Sequence, residues 1–386
     1  MPAHHLYVHV PFCARRCSYC DFSIAVRAET PVDEYLGALR SELALASHGG
    51  VLGELQTVYV GGGTPSRLGG EGIARLLSLI REHVGIVDGA EVTIEANPDD
   101  VTPSNAQAWA RSGVNRVSVG VQSFNDRVLA WMHRTHDSTQ PERAVQALRA
   151  AGLVNYSLDV IFALPAHLQR DLRVDLAQLL ALEPAHVSIY GLTVESHTPL
   201  AHWASRGDSV EGSEETYEQD FLLAHEQVTA AGFEHYEVSN FALPGKRSRH
   251  NSIYWSGQPY AALGPAAHSY DGNVRRWNVR GYAQWVRTLA EGKSPIEAEE
   301  ELTAENRISE EVYLGLRTNR GLETSAAELE RARPWIAAGW ARSDGTTLVL
   351  TPTGWLRLDS LAADLAAHRS AEGSETLRND RSRCYI

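Results

Sequence analysis

No apolar run in this chain approaches the roughly 20 residues that a membrane-spanning helix needs, so no transmembrane segment is expected. An excess of positive charge is also missing. Lys and Arg total 35 against 48 for Asp and Glu, a formal net charge of -13. An acidic surface argues against broad binding to nucleic acid or to an anionic membrane face. The opening MPAHHLYVHVPFC lacks the charged start, apolar core and small-residue cleavage site of a secretory signal, which points to the cytoplasm. Any membrane association is then expected to be peripheral, through a partner. Cysteine is scarce, four residues in 386, which excludes a disulfide framework. No low-complexity segment interrupts residues 1–368.

Against these absences stands a regular alternation over the first 200 residues. Strand-like runs occur at LYVHVPF (6–12), LQTVYVGGG (55–63), EVTIEANP (91–98), VNRVSVGVQS (114–123), YSLDVIFAL (156–164) and HVSIYGLTV (186–194). Their near-continuous apolarity suits strands buried on both faces of a parallel sheet. Amphipathic stretches such as VDEYLGALRSELALAS and EGIARLLSLIREHVG lie between them, with apolar residues at three- and four-residue steps. Six such repeats predict a parallel α/β sheet, open or curved into a partial barrel. This first unit is read as residues 1–235. An aromatic, Gly- and Pro-rich region is read as a connection over 236–300. Residues 301–368 follow the order helix, helix, hairpin, helix of a small winged-helix-like domain. That domain carries no Lys/Arg stripe, so protein contact or a lid role is expected for it. Residues 369–386, including Cys384, read as a disordered tail.

Three of the four cysteines fall within eight residues, as Cys13-x3-Cys17-x2-Cys20, directly after a strand ending in Pro11-Phe12. Three neighbouring thiolates can grip three irons of a cubane and leave the fourth iron open. A structural zinc site would ordinarily want a fourth protein ligand. Three core thiols on one helical face would show the same spacing, although Arg15, Arg16 and Ser18 surround them and Pro11 disfavours a helix already under way. The pattern resembles the radical S-adenosylmethionine (SAM) superfamily signature C-x3-C-x-Φ-C, with Tyr19 as the aromatic Φ. That resemblance implies a [4Fe-4S] cluster with SAM at its open iron.

The second strand runs into Gly61-Gly62-Gly63-Thr64-Pro65. Glycines at such an edge let a ligand approach the backbone, and their N–H groups can bind an anion; a bare turn would look the same. Glu95, Gln122 and Asp159 are read as polar residues ending otherwise apolar strands, where burial is costly without partners. Arg134 follows as a charge-assisted donor for a carboxylate.

The motif series LYVHVPFC, GGGTP, EANP, GVQSF, YEVSNFA and GPAAHSY is similar to the branch that holds oxygen-independent coproporphyrinogen III oxidases and radical SAM haem chaperones. By that resemblance Tyr7, Gly62, Gly63, Thr64, Glu95, Gln122, Arg134 and Asp159 are expected to contact SAM, on a partial (β/α)6 barrel. One departure is Ala163 in DVIFALP, where the branch usually has glycine. Two features separate its members. The decarboxylases carry a fourth cysteine two residues after the third, where this chain has Phe22. His250-Asn251-Ser252-Ile253-Tyr254-Trp255 fits the H-N-x-x-Y-W pattern of the chaperones.

An imidazole can ligate haem iron, and on a helix His250 and Tyr254 lie one turn apart. His250, Tyr254 and Trp255 are therefore expected to contact haem, with packing in an aromatic core as the plain alternative; His268 in AAHSYD is read as a plain core histidine ahead of a competing haem ligand. The leading expectation is a haem chaperone with a [4Fe-4S] cluster, SAM and haem. It would pass haem to an acceptor such as a respiratory enzyme, with SAM either cleaved or regulatory. Oxidative decarboxylation of coproporphyrinogen III and a non-redox zinc scaffold are the competing readings.

Overall fold

The computed structural model describes residues 2–208 and 210–382, with side chains through residue 371. Six parallel strands form its frame: β1 (Ala3–Val10), β2 (Leu52–Gly62), β3 (Ile86–Ala96), β4 (Arg116–Gln122), β5 (Tyr156–Phe162) and β6 (His186–Gly191). They neighbour one another in chain order. Between them run α1 (Val32–His48), α2 (Gly69–His83), α3 (Pro103–Ser112), α4 (Gln140–Ala150) and α5 (Leu172–Ala181). Helix ends follow local chemistry. Thr102 caps α3 by accepting from Asn105 N, and Gly113 ends it at φ 96°.

The strands are buried on both faces, but the two faces differ in chemistry. Leu6, Val8 and Val10 of β1, Val58 and Val60 of β2, and Val117, Val119 and Val121 of β4 belong to the apolar core shared with the helices. Between them His5, Tyr7, His9, Thr57, Tyr59, Arg116, Ser118 and Gly120 occupy the opposite face by the period-two rule. Trp109 of α3 is fully buried in the outer layer. The barrel interior is thus polar and the shell around it apolar.

The sheet does not stop at six strands. β7 (Glu234–Glu237) and β8 (Asn240–Ala242) add an antiparallel pair beyond β6, after the long helix α6 (Glu214–Ala230). At the opposite edge β9 (Ala261–Leu263) lies parallel to β1. The region 236–300, read from sequence as a connection, therefore contributes strands to both edges of the nine-stranded sheet. It also holds the short helix α7 (Arg249–Trp255) and the antiparallel strands β10 (His268–Tyr270), β11 (Val274–Asn278) and β12 (Ile296–Glu301), with α8 (Tyr282–Ala290) packed on α1.

The C-terminal unit comprises α9 (Ala304–Arg317), β13 (Leu322–Glu323), α10 (Ala326–Ala337), β14 (Ala341–Asp344), β15 (Thr347–Leu350) and α11 (Leu358–Ser382). Its order is that of a winged helix. It is joined to the sheet by Arg317, whose guanidinium lies 2.9 Å from the fully buried Glu237, and by Trp355, packed edge-on to His235. Helix α11 continues to Ser382, across most of the stretch read as a disordered tail. Cys384 lies outside the described residues. Among the described residues no helix is long and apolar enough to cross a membrane.

Candidate functional site

After β1 the chain turns at Pro11, and Phe12–Cys13 pairs with Ala25–Val26, which closes the intervening residues into a loop at the C-terminal ends of the strands. Ser18 N donates to Met132 O and Leu200 N to Ser18 O, tying that loop to two neighbouring segments. Cys13, Cys17 and Cys20 are all free thiols; Cys13 is buried and the other two are partly exposed. Thr64 Oγ1 lies 3.3 Å from Cys13 Sγ. Arg134 Nη1 donates to Cys17 Sγ at 3.6 Å. Burial raises the Cys13 thiol above its usual range and pushes Cys20 to about 11.

One cavity of about 320 Å³ lies against this loop. It is bordered by all three cysteines and by Tyr19, Gly62, Gly63, Thr64, Glu95, Gln122, Arg134 and Asp159. Of the cluster and SAM candidates, only Tyr7 lies elsewhere, in an adjoining cavity.

The Gly triplet matters for space rather than for donors. A Cβ on Gly63 would sit 2.7 Å from the Pro11 carbonyl, and one on Gly62 (φ +113°) would meet His9 at 2.6 Å. Its N–H groups are already engaged: Gly62 N donates to Glu95 Oε2 at 3.0 Å and Gly63 N to Val10 O at 2.8 Å. The expectation that these amides bind an anion is thus corrected, because both have partners inside the protein.

Glu95 and Asp159 lie within their strands and face the interior instead of ending the strands. Tyr59 OH donates to Glu95 Oε1 at 2.8 Å, and burial pushes the Glu95 carboxyl up to about 7. Asp159 accepts from Ser118 and Ser157 and is raised by burial. Gln122 does end its strand, at a positive φ of 67° beside a register shift in the pairing with β5. That bend redirects its backbone at the cavity. Ala163 holds φ 57°, so the branch's glycine-type turn is kept by a residue that pays about 1–2 kcal/mol for it.

Arg134 is nearly buried and spans the site. Its Nη2 donates to Asn97 Oδ1 at 2.6 Å and to Gly120 O at 2.8 Å, while its Nε has no partner among the described residues. The sequence reading missed Asn97, Tyr59, Arg116, Ser118, Ser188 and Tyr190, which also line the cavity. Their signal was present as strict alternation: Arg116-x-Ser118-x-Gly120, His186-x-Ser188-x-Tyr190.

The HNxxYW residues point in different directions. His250 is fully buried. Its Nδ1 is 2.7 Å from Thr57 Oγ1 and its Nε2 is 2.8 Å from Tyr254 OH, so both ring nitrogens have partners. Glu91 accepts from the His250 and Arg249 amides and fixes the start of α7. Burial lowers the His250 imidazole to about 3, which keeps it neutral. Tyr254 lines the adjoining cavity. Trp255 instead faces the C-terminal unit, under the Arg317 guanidinium at 4.4 Å from its ring centre. The structure thus places His250 as a core strut, with no nitrogen free to ligate.

The donor set fits a cluster better than a single ion. Among the described residues no three Cys, His, Asp or Glu side chains close on one point, yet the three cysteines ring one cavity. A cubane takes each sulfur on a different iron, so a ring is the required arrangement. Metal binding would also deprotonate Cys13 and Cys20, whose thiols burial holds neutral.

A parallel half-barrel with such a loop at the C-terminal ends of its strands is a radical SAM architecture, and the Radical SAM superfamily profile matches residues 7–179. That class uses a [4Fe-4S] cluster and SAM. The chain is 39% identical over 368 residues to haem chaperone HemW of Mycobacterium tuberculosis, covering 93% of this chain and 94% of that one. It is 35% identical over 293 residues to haem chaperone HemW of Escherichia coli, covering 74% and 76%. This chain therefore belongs to the HemW family. Among solved structures it resembles coproporphyrinogen III oxidase HemN of Escherichia coli, described as a radical SAM enzyme, with a TM-score of 0.80 over 95% of this chain and 91% of that one. At 23% identity that likeness is one of fold.

Proposed function

We propose that this protein is a cytoplasmic haem chaperone: it holds a [4Fe-4S] cluster on Cys13, Cys17 and Cys20, binds SAM beside it, and passes haem to an acceptor protein, for which a respiratory enzyme is the natural class. The observation that carries the cofactor half is the single cavity on which three free thiols, Thr64, Glu95, Gln122 and Arg134 converge. The haem half rests on the relatives' names and on the aromatic cavity next to it.

Each residue has a role its chemistry supports. Arg134 keeps a permanent cation beside Cys17 and suits a carboxylate through its forked donors. The raised Glu95 carboxyl is neutral or charged according to what occupies the cavity. Gly62 and Gly63 leave room for a ligand to lie against the backbone. Tyr19, partly buried beside Arg134, helps to shield the cysteine loop from water. When bound, the cluster can deliver one electron to SAM; the side chains themselves bind, orient and exclude solvent.

Anaerobic reconstitution of the full chain tests both halves. The expected result is iron and sulfide bound together with broad absorbance near 400 nm, stoichiometric haem uptake, and transfer of haem to an apo-acceptor. Protein that takes up no iron and sulfide, or that accumulates protoporphyrinogen from coproporphyrinogen III, SAM and reductant, would overturn the reading.

A further inference from the structure

A second cavity, of about 640 Å³, opens between β1 and the strap of β10 and β11. We propose that haem docks here, with the His268 imidazole as the protein's ligand to its iron. This rests on the haem-carrying reading above and goes beyond it by naming the place and the ligating residue.

Two histidines line this cavity. His9 is buried and engaged at both nitrogens: Nδ1 lies 3.1 Å from Tyr7 OH and Nε2 lies 2.9 Å from Ser23 O. His268 is exposed, and no hydrogen bond to its ring is found among the described residues. The ring is held in place all the same. It pairs in register with Trp277 across β10 and β11, and the two rings stack at 5.8 Å with 20° between their planes. A fixed imidazole with free nitrogens is what an iron ligand requires.

The surroundings suit a flat, mostly apolar macrocycle with acidic edges. Trp277, Tyr254, Tyr260 and Phe22 supply aromatic faces, and Phe22 is 59% exposed at the rim. The volume lies within the roughly 300–1,000 Å³ of ligand pockets. Arg280 borders the cavity, and among the described residues its guanidinium donates to the Asp21 carbonyl alone, leaving donors for a propionate. Two carboxylates, Glu95 and Glu297, also border it.

This assignment gives the HNxxYW segment a different task. His250 fixes the Tyr254 hydroxyl, and Tyr254 in turn packs edge-on against Tyr260 at 4.7 Å. His250 is a positioning residue that buttresses the cavity wall from behind. Phe22, Gly62 and Glu95 border both cavities, so haem would lie against the cofactor site.

The test is anaerobic titration of the cluster-reconstituted full chain with haemin, read by Soret absorbance and electron paramagnetic resonance. His268→Ala is expected to weaken binding at least tenfold and to lose the histidine-ligated spectrum, which added imidazole restores. His250→Gln is expected to keep that spectrum. Circular dichroism and the cluster absorbance show whether each variant is folded, and the near-isosteric His268→Gln carries the test if the alanine variant is not. A His268 variant with unchanged Soret maximum and affinity, in a wild type that does bind haem, overturns the ligand assignment alone. A wild type that binds no haem overturns the chaperone reading and this inference with it.

Discussion

The two cavities differ in how fully their walls are bonded. Around the cysteine loop most polar groups already have a protein partner: Glu95 has Tyr59 and Gly62, Asp159 has two serines, and Arg134 has Asn97 and Gly120. On the strap side the bonding is uneven: His9 and Tyr254 are engaged, while among the described residues no hydrogen bond reaches the exposed His268 ring, and Phe22 stands exposed beside it. A resident cofactor rewards a site whose side chains are locked before it arrives. A cargo that must leave again is better served by a surface that gives up few internal bonds when it empties. On the proposed function, the contrast separates residues that would hold a cofactor from residues that would carry a cargo.

Cys17→Ser would break this comparison most severely. It should abolish the iron–sulfur absorbance near 400 nm, while haemin binding in the second cavity stays within about threefold of wild type. Loss of both together would show that the cavities are one site.

The shared wall offers a pH probe. The Glu95 carboxyl is raised to about 7, chiefly by burial. A raised carboxyl contributes stability that is fully present below its unfolded pKa and is lost as pH rises through the folded value. Stability, read as the urea midpoint, should therefore decrease as pH rises from about 4.5 to 7, and Glu95→Gln should remove a part on the order of 3 kcal/mol. Glu42, also near 7 and buried against Trp285 and Asn278, supplies a slope of the same sign that the variant leaves in place. An identical pH profile in both proteins would show that Glu95 titrates as in the unfolded chain.

Arg134→Lys keeps the charge but loses the fork. SAM affinity is expected to drop about tenfold, near 1.4 kcal/mol, with haemin affinity unchanged; isothermal titration reads both. The smallest effect concerns the rim turn. Ala163→Gly should relieve a positive φ and raise stability by about 0.5–1 kcal/mol, seen as a slightly higher Tm. No gain would mean that the surrounding bonds, including Asp220 to Ala163 N, already relax the strain.

Much was legible in the chain alone. Apolar runs alternating with amphipathic segments are a local record of strand and helix, and the C-x3-C-x2-C spacing names its chemistry without a fold, because three thiols so close can reach one cluster. The GGGTP turn and the polar residues of successive strands also pointed to one edge. Other facts existed only in three dimensions. The inner polar face shows as Arg116, Ser118 and Asp159 on neighbouring strands, but only curvature turns that face into a cavity. Sequence set His250 ahead of His268, because only His250 sits in an H-N-x-x-Y-W pattern, and it held no record of which ring would be bonded. Thr57 lies 193 positions from His250, yet packing brings its hydroxyl to the imidazole; among the described residues no such partner reaches the His268 ring. Hydrogen-bond saturation is a property of distant segments meeting, and it decided which histidine is free.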